Sequence, residues 1–287
     1  MTRALVIGVS VGAIYGMLAL GITLVYKTTR VLNFGLAEMG TFATYLTWQA
    51  VVRWHWPWVA GAPLAVLIVT LIGLAFERFV VRPNIDASRV SLLIATVGLS
   101  FLLFGLELGF WGPSPQLLPS PFRGSGPEIL GVFVQPLRLF ALGTTAVVGI
   151  GLMLLLKRTT FGLGVLAAAH DPITIRLMGV RLSRISMFAW GTSAALAAVT
   201  GIVLSPAVGT FFPFSLTFFF PRALAAALLG GLTSLPGAFV GGVAIGVLEA
   251  SLQQAFPSTS GIVEAGLFAV VLSVLLLRPQ GLLGKAA

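Results

Sequence analysis

Apolar residues dominate this chain in blocks of about twenty, the length a helix needs to cross the hydrocarbon core of a bilayer, where lipid offers backbone polar groups no partner. Eight blocks meet or approach that length: Ala4 to Tyr26, Val31 to Val52, Val59 to Phe76, Val90 to Trp111, Leu139 to Leu156, Ile185 to Val208, Gly237 to Phe256 and Ile262 to Leu277. A ninth, Ser215 to Ser234, is interrupted by glycine and reads as a full span, a re-entrant element or a tilted helix. The pattern predicts an all-α membrane protein, a polytopic bundle of about eight or nine transmembrane helices that forms one domain over residues 1–287. The first block runs on to Tyr26 without a clear small-residue cleavage site, so it is expected to be a retained span and not a removed signal peptide.

Composition sharpens this. The chain is 57% hydrophobic and 9% charged, against roughly 25% charged residues in an ordinary soluble domain. That excludes a water-soluble fold, and it excludes disorder, which needs low hydrophobicity and high net charge. The 34 glycines favour close helix contacts in such a chain. Gly8, Gly12 and Gly16, four apart, share one helix face.

The net charge of +9 would suggest nucleic acid only if the bases clustered on a wet surface. They lie between apolar blocks instead, and there they report topology, because Lys and Arg in short loops mark the cytoplasmic side. Nine crossings put the N-terminus outside and leave Lys27 to Arg30, Glu77 to Arg89, Lys157 to Arg184 and the tail from Arg278 inside. Arg3, Arg53, Arg123, Arg138 and Arg222 then fall outside, a minority of the 17 bases. Trp54, Trp56 and Trp58 surround Pro57 on the outer side, as an interfacial anchor would. The Pro- and Gly-rich stretch Gly112 to Pro136 reads as an irregular external loop, either a lid that meets an external partner or a connector.

Four carboxylates lie in or beside apolar blocks: Glu38, Glu107, Glu249 and Glu264. An isolated charge in lipid costs at least roughly 2.5 kcal/mol, so such groups face protein, water or a partner. Glu264 sits near a helix start, where an interfacial role suffices. Glu107, between Gly105 and Gly109, fits a hydrogen bond across close-packed helices as well as it fits a pore. Glu38 follows Asn33-Phe34-Gly35 inside an apolar block, which suggests backbone interrupted at membrane depth and either a pathway-lining group or a structural polar knot.

The segment Lys157 to Arg184 contains a punctuated short helix. Asp171 caps it, Pro172 suits its first position and Gly179 its left-handed stop. Ile173, Ile175, Leu177 and Met178 make it apolar, with Arg176, Arg181 and Arg184 around it. Such an element lies in the groove of a cytoplasmic partner or on the membrane surface. No phosphate loop, His-Glu-x-x-His or Gly-x-Ser-x-Gly motif is present, so the chain is expected not to be an enzyme, and any energy from ATP would enter through another chain. With no cysteine and only His55 and His170, no metal site is expected.

These motifs resemble the branched-chain amino acid permease subunits of bacterial ABC importers, nearer the shorter of the two paired permeases. YKTTRVLNFGLAEMGTFATYLTW is similar to that family's Asn-Phe-Ala-(His/Gln)-Gly-Glu stretch, with Asn33, Phe34 and Glu38 matching and Leu36 and Ala37 departing. GVLAAAHDPITIRLMGVRLSRISMFAW resembles its cytoplasmic coupling loop, with His170 where glutamine is commoner, and ALLGGLTSLPGAFVGGVAIGVLEASL and LLLRPQGLLG resemble its glycine-rich helices and tail. The resemblance implies an inner-membrane complex of this chain, a second permease, two cytoplasmic ATPases and a periplasmic solute-binding protein. It implies a substrate path touching Asn33, Phe34, Glu38, Glu107 and Glu249, and ATPase coupling through Asp171, Pro172, Ile175, Arg176, Leu177, Met178 and Gly179. No cofactor is expected in this chain, ATP and magnesium being bound by the partner ATPases. Against this stands a self-contained secondary transporter or channel, coupled to an ion through Glu38 and Glu107.

Overall fold

The computed structural model describes every residue except 1, 86, 123–125, 130–131, 135, 171–180, 260, 279 and 285–287. The described chain is a bundle of ten helices with four two-residue strands. They are α1 (Thr2–Thr29), α2 (Leu36–Trp48), α3 (Trp58–Phe76), α4 (Arg89–Trp111), α5 (Pro136–Arg158), α6 (Thr160–His170), α7 (Leu182–Val208), α8 (Phe220–Gly230), α9 (Leu235–Ala255) and α10 (Ile262–Leu277). Wider π turns extend α2 over Gln49–Arg53 and α3 over Glu77–Val81. Among the described residues, six helices are long and apolar enough to cross a membrane, and two shorter apolar ones, Ser215–Gly230 and Ile262–Leu277, accompany them.

Glycine sets the packing. α1 lies antiparallel to α9 with Gly8 opposite Gly246 and Val247, Gly12 opposite Gly242 and Val243, and Gly16 opposite Phe239. A methyl on Gly12 would stand 2.7 Å from the Gly242 carbonyl oxygen, so the close backbone approach admits no side chain there. This is the small-residue device of membrane bundles. α7 is the buried axis: Ser193 Oγ donates to the Gly21 carbonyl of α1 at 2.9 Å, Gly201 meets Gly40 and Thr44 of α2, and Ala194 fills the space over Gly73 of α3. The outer faces of α3, α4, α5 and α10 expose Leu67, Phe101, Val147 and Phe268, the apolar surface that lipid or another membrane chain covers.

One end of the bundle is basic. There Lys27 Nζ donates to the Thr233 carbonyl at 3.0 Å, Arg82 pairs with Glu77 at 2.9 Å, and the chain end returns so that the Leu282 amide donates to the Leu229 carbonyl at 2.8 Å. The other end carries the exposed Trp54 and Trp56.

Helix begins only at Leu36, so the block Val31 to Val52 is interrupted ahead of Glu38 as its residues suggest. Three further readings are resolved or changed. The block Ser215 to Ser234 is a 3-10 turn, Ser215–Phe219, followed by α8, which stops at Gly230 where Gly231 takes φ 97°. The stretch Gly112 to Pro136 is not wholly irregular: β1 (Gln116–Leu117) pairs antiparallel with β4 (Thr210–Phe211), and β2 (Glu128–Ile129) pairs with β3 (Val132–Phe133). An unforeseen helix, α6, follows α5.

Candidate functional site

Two non-helical breaks reach into the bundle and meet near Glu38. The first begins where α1 ends: Arg30 takes a left-handed φ of 57°, and residues 31–35 run without helix to Leu36. Their polar groups are satisfied locally. Buried Asn33 accepts the Gly35 amide on Oδ1 at 3.0 Å. Phe34 donates its amide to Thr96 Oγ1 at 3.2 Å, and that hydroxyl reaches the Leu32 carbonyl at 3.3 Å. Thr96 stands about 10 Å into α4 at 1.5 Å per residue, so this irregular backbone lies at membrane depth, tolerated because it is buried in protein.

The second break joins α7 to α8. Gly209 turns at φ 107°, β4 follows, and Phe214 takes a left-handed φ of 72° before the 3-10 turn. A bulky non-glycine residue in that region is strained by about 1–3 kcal/mol and persists only where its surroundings hold it. They do so here. The Phe214 amide donates to Glu38 Oε1 at 3.2 Å and to Glu107 Oε2 at 3.3 Å. Thr217 Oγ1 donates to Glu38 Oε2 at 2.8 Å, and the Leu216 amide donates to Thr41 Oγ1 at 3.2 Å. Glu38 and Glu107 are both wholly buried. An aromatic wall encloses them: Phe104 meets Phe214 edge-on at 5.4 Å, and Tyr45 stacks on Trp111 at 4.9 Å and meets Phe211 edge-on at 4.7 Å.

The structure thus brings Glu38 and Glu107 together on a single amide hydrogen. Asn33 and Phe34 belong to the adjoining break, and the Phe34 ring lies 5.3 Å from that of Phe220 at the start of α8. Glu249 stands elsewhere, on α9. Arg222 Nε donates to Glu249 Oε1 at 2.8 Å, while its NH2 group donates to Glu264 Oε1 at 3.0 Å. Arg222, which charge counting put in an outer loop, is therefore in the first turn of α8 and ties α9 to α10. The coupling segment Asp171, Pro172, Ile175, Arg176, Leu177, Met178 and Gly179 lies outside the described residues.

Sequence reading missed Phe214 and Thr217. Their only signal is Pro213 inside an aromatic run, which marks a turn without saying what the turn touches.

Residues 4–277 match the model of the family described as branched-chain amino acid transport system, permease component. A relative from Pseudomonas aeruginosa, the high-affinity branched-chain amino acid transport system permease protein BraD, is 29% identical over 99% of this chain and 95% of its own length. The LivH permease protein of Escherichia coli strain K12 is 29% identical over 97% of this chain and 94% of its own. A xylose/arabinose import permease protein, XylH of Sulfolobus acidocaldarius, is 31% identical over 66% of this chain and 52% of its own. With a buried polar centre between two breaks and a family match spanning nearly its whole length, this multi-pass membrane chain belongs to the branched-chain amino acid transport permease family.

Proposed function

We propose that this chain is a transmembrane permease subunit of an ATP-binding-cassette importer, moving branched-chain or related amino acids across a bacterial inner membrane. The observation that carries the reading is the convergence of the two breaks on Glu38. Irregular backbone at membrane depth is stable only inside protein or beside a watery path, and family membership makes that path a transport path. In this proposal Asn33, Phe34, Glu38 and Glu107 border the path, and Glu249 bears on it through Arg222. The chain makes nine crossings with its N-terminus outside, α2 with its break and the 3-10 turn with α8 each counting as one.

The power stroke enters from two cytoplasmic ATPases that hold ATP and magnesium. It arrives through the segment Asp171 to Gly179, whose apolar side lies in an ATPase groove. A second permease completes the path, and a periplasmic solute-binding protein delivers the solute. The relative named for xylose/arabinose import makes the solute panel part of the test.

The chain, co-expressed with the ATPases, second permease and binding protein proposed as its partners, is reconstituted in vesicles and supplied with leucine, isoleucine, valine, urea and xylose. ATP-dependent uptake of the aliphatic amino acids is expected. Uphill uptake by this chain alone on an ion gradient would instead identify a secondary transporter. Changing Ile175 and Met178 together to Asp is expected to abolish ATPase association while membrane insertion stays normal; undiminished uptake would refute the coupling role.

A further inference from the structure

The break between α7 and α8 is joined to the outer end of the bundle by more than its own chain. β4 follows Gly209 directly and pairs with β1, which lies in the loop leaving α4, with Gln116 opposite Phe211 and Leu117 opposite Thr210. Three residues beyond β4, a reach of at most about 10 Å, the same segment meets Glu38 and Glu107 through the Phe214 amide, and Glu107 stands about 6 Å below Trp111 at the end of α4 by helical rise. One continuous piece of irregular backbone therefore reaches from the exposed loop down to the buried carboxyl pair.

The lower attachment is polar and discrete. Three donors of the break, the Phe214 amide, the Leu216 amide and the Thr217 hydroxyl, meet acceptors on α2 and α4. The Leu216 side chain lies over Gly40, where no larger residue would fit. The upper hinge is Gly209, whose positive φ has open space around it. Phe214, held left-handed beneath it, is strained. Strain of that kind marks an element with a second arrangement when its partners are few and separable.

We propose that residues 209–219 are a gate: Glu38 and Glu107 latch it shut through the Phe214 amide, and the β1–β4 pair is the handle by which an external partner on the loop 112–118 lifts it. The gate and its handle move as one body. Opening breaks the contacts to Glu38, Glu107 and Thr41 and leaves β1 and β4 paired. This inference rests on the importer reading, since a gate needs a driven solute.

The chain has no cysteine, so disulfides can be placed one at a time. Leu117→Cys with Thr210→Cys joins the handle to the gate, and Thr41→Cys with Leu216→Cys bolts the gate to α2. Both are made in the full complex in vesicles, and formation of each bond is confirmed by mass spectrometry. Oxidation of the first pair is expected to leave ATP-driven uptake within about twofold of the reduced protein, whereas oxidation of the second is expected to lower it at least about tenfold, with reductant restoring it. Uptake lost on joining the strands, uptake surviving the bolt, or failure of either pair to form its bond overturns the gate.

A second measurement does not depend on the paired variants. Leu216, 2% exposed at rest, is changed alone to Cys and offered a membrane-impermeant maleimide. Labelling is expected to quicken about tenfold when ATP and the solute-loaded binding protein are both present; an unchanged rate overturns the proposal. Wild-type complex with no ATP-driven uptake would refute the importer reading instead.

Discussion

Glu249 and Glu264 meet a guanidinium, whereas Glu38 and Glu107 meet an amide hydrogen and a hydroxyl. In the first group, Arg222 of α8 reaches α9 at 2.8 Å and α10 at 3.0 Å, so opposite charges fasten three helices late in the chain. In the second, two buried acids crowd one N–H donor. A charge met by its opposite inside a membrane protein is a staple, costly to break. Acids held by dipoles alone are fixed more weakly and over a shorter range, which suits contacts that must be made and broken. The difference teaches that a glutamate in an apolar block is functional or structural according to what faces it, and only the fold supplies that.

The comparison breaks most visibly at Arg222. Arg222→Leu strips the guanidinium from Glu249 Oε1, and Oε2 already lacks a hydrogen-bond partner, while the guanidinium itself is partly exposed. The loss is therefore set below the full penalty for a buried pair, at about 2 kcal/mol. Thermal unfolding in detergent is expected about 5 °C lower. Adding Glu249→Gln should recover part of that, since the orphaned charge goes too; no recovery in the double variant would mean the pair is not the cause.

At the other centre the effect moves from stability to transport. Glu38→Gln keeps shape and an acceptor oxygen for the Phe214 amide but puts an amide nitrogen, itself a donor, where Oε2 accepts from Thr217. Uptake is expected to fall about tenfold with assembly and unfolding temperature nearly unchanged. A variant that unfolds early yet transports normally once assembled would make Glu38 a staple like Glu249. Thr217→Val is milder, deleting a single neutral donor to Glu38, worth about 1 kcal/mol. Its expected mark is solute leak without ATP, a few-fold above wild type, measured by efflux from preloaded vesicles.

Much of this was legible in the sequence, for reasons that differ by residue. Six long apolar helices were, because lipid demands apolar length. The first break was, because Asn33, Gly35 and Glu38 make no sense in an uninterrupted span. α6 was hidden because Lys157 and Arg158 end one apolar block and invite a loop, although the alanine-rich residues beyond them form helix well. β1 and β4 were invisible: two-residue strands 93 positions apart leave no alternation to detect. The Arg222–Glu249 pair was equally hidden, since nothing local predicts which of several acids a lone base will face after folding. Phe214 stands in an aromatic run, and its left-handed turn is imposed by Glu38 and Glu107 from other helices.

Glu264 sharpens the comparison from its weak side. It shares Arg222 with Glu249, but its side chain is 57% exposed, whereas that of Glu249 is 13% exposed. It also stands in the first turn of α10, where the helix dipole favours a carboxylate with or without a partner. Solvent or headgroups screen the pair, and a long side chain must be immobilised to make it, so Glu264→Gln is expected to cost about 0.5 kcal/mol and to leave uptake unchanged. A loss approaching that of Arg222→Leu would mean that a partner chain or lipid covers this face in the membrane and that α10 is fastened by the same dry ion pair as α9.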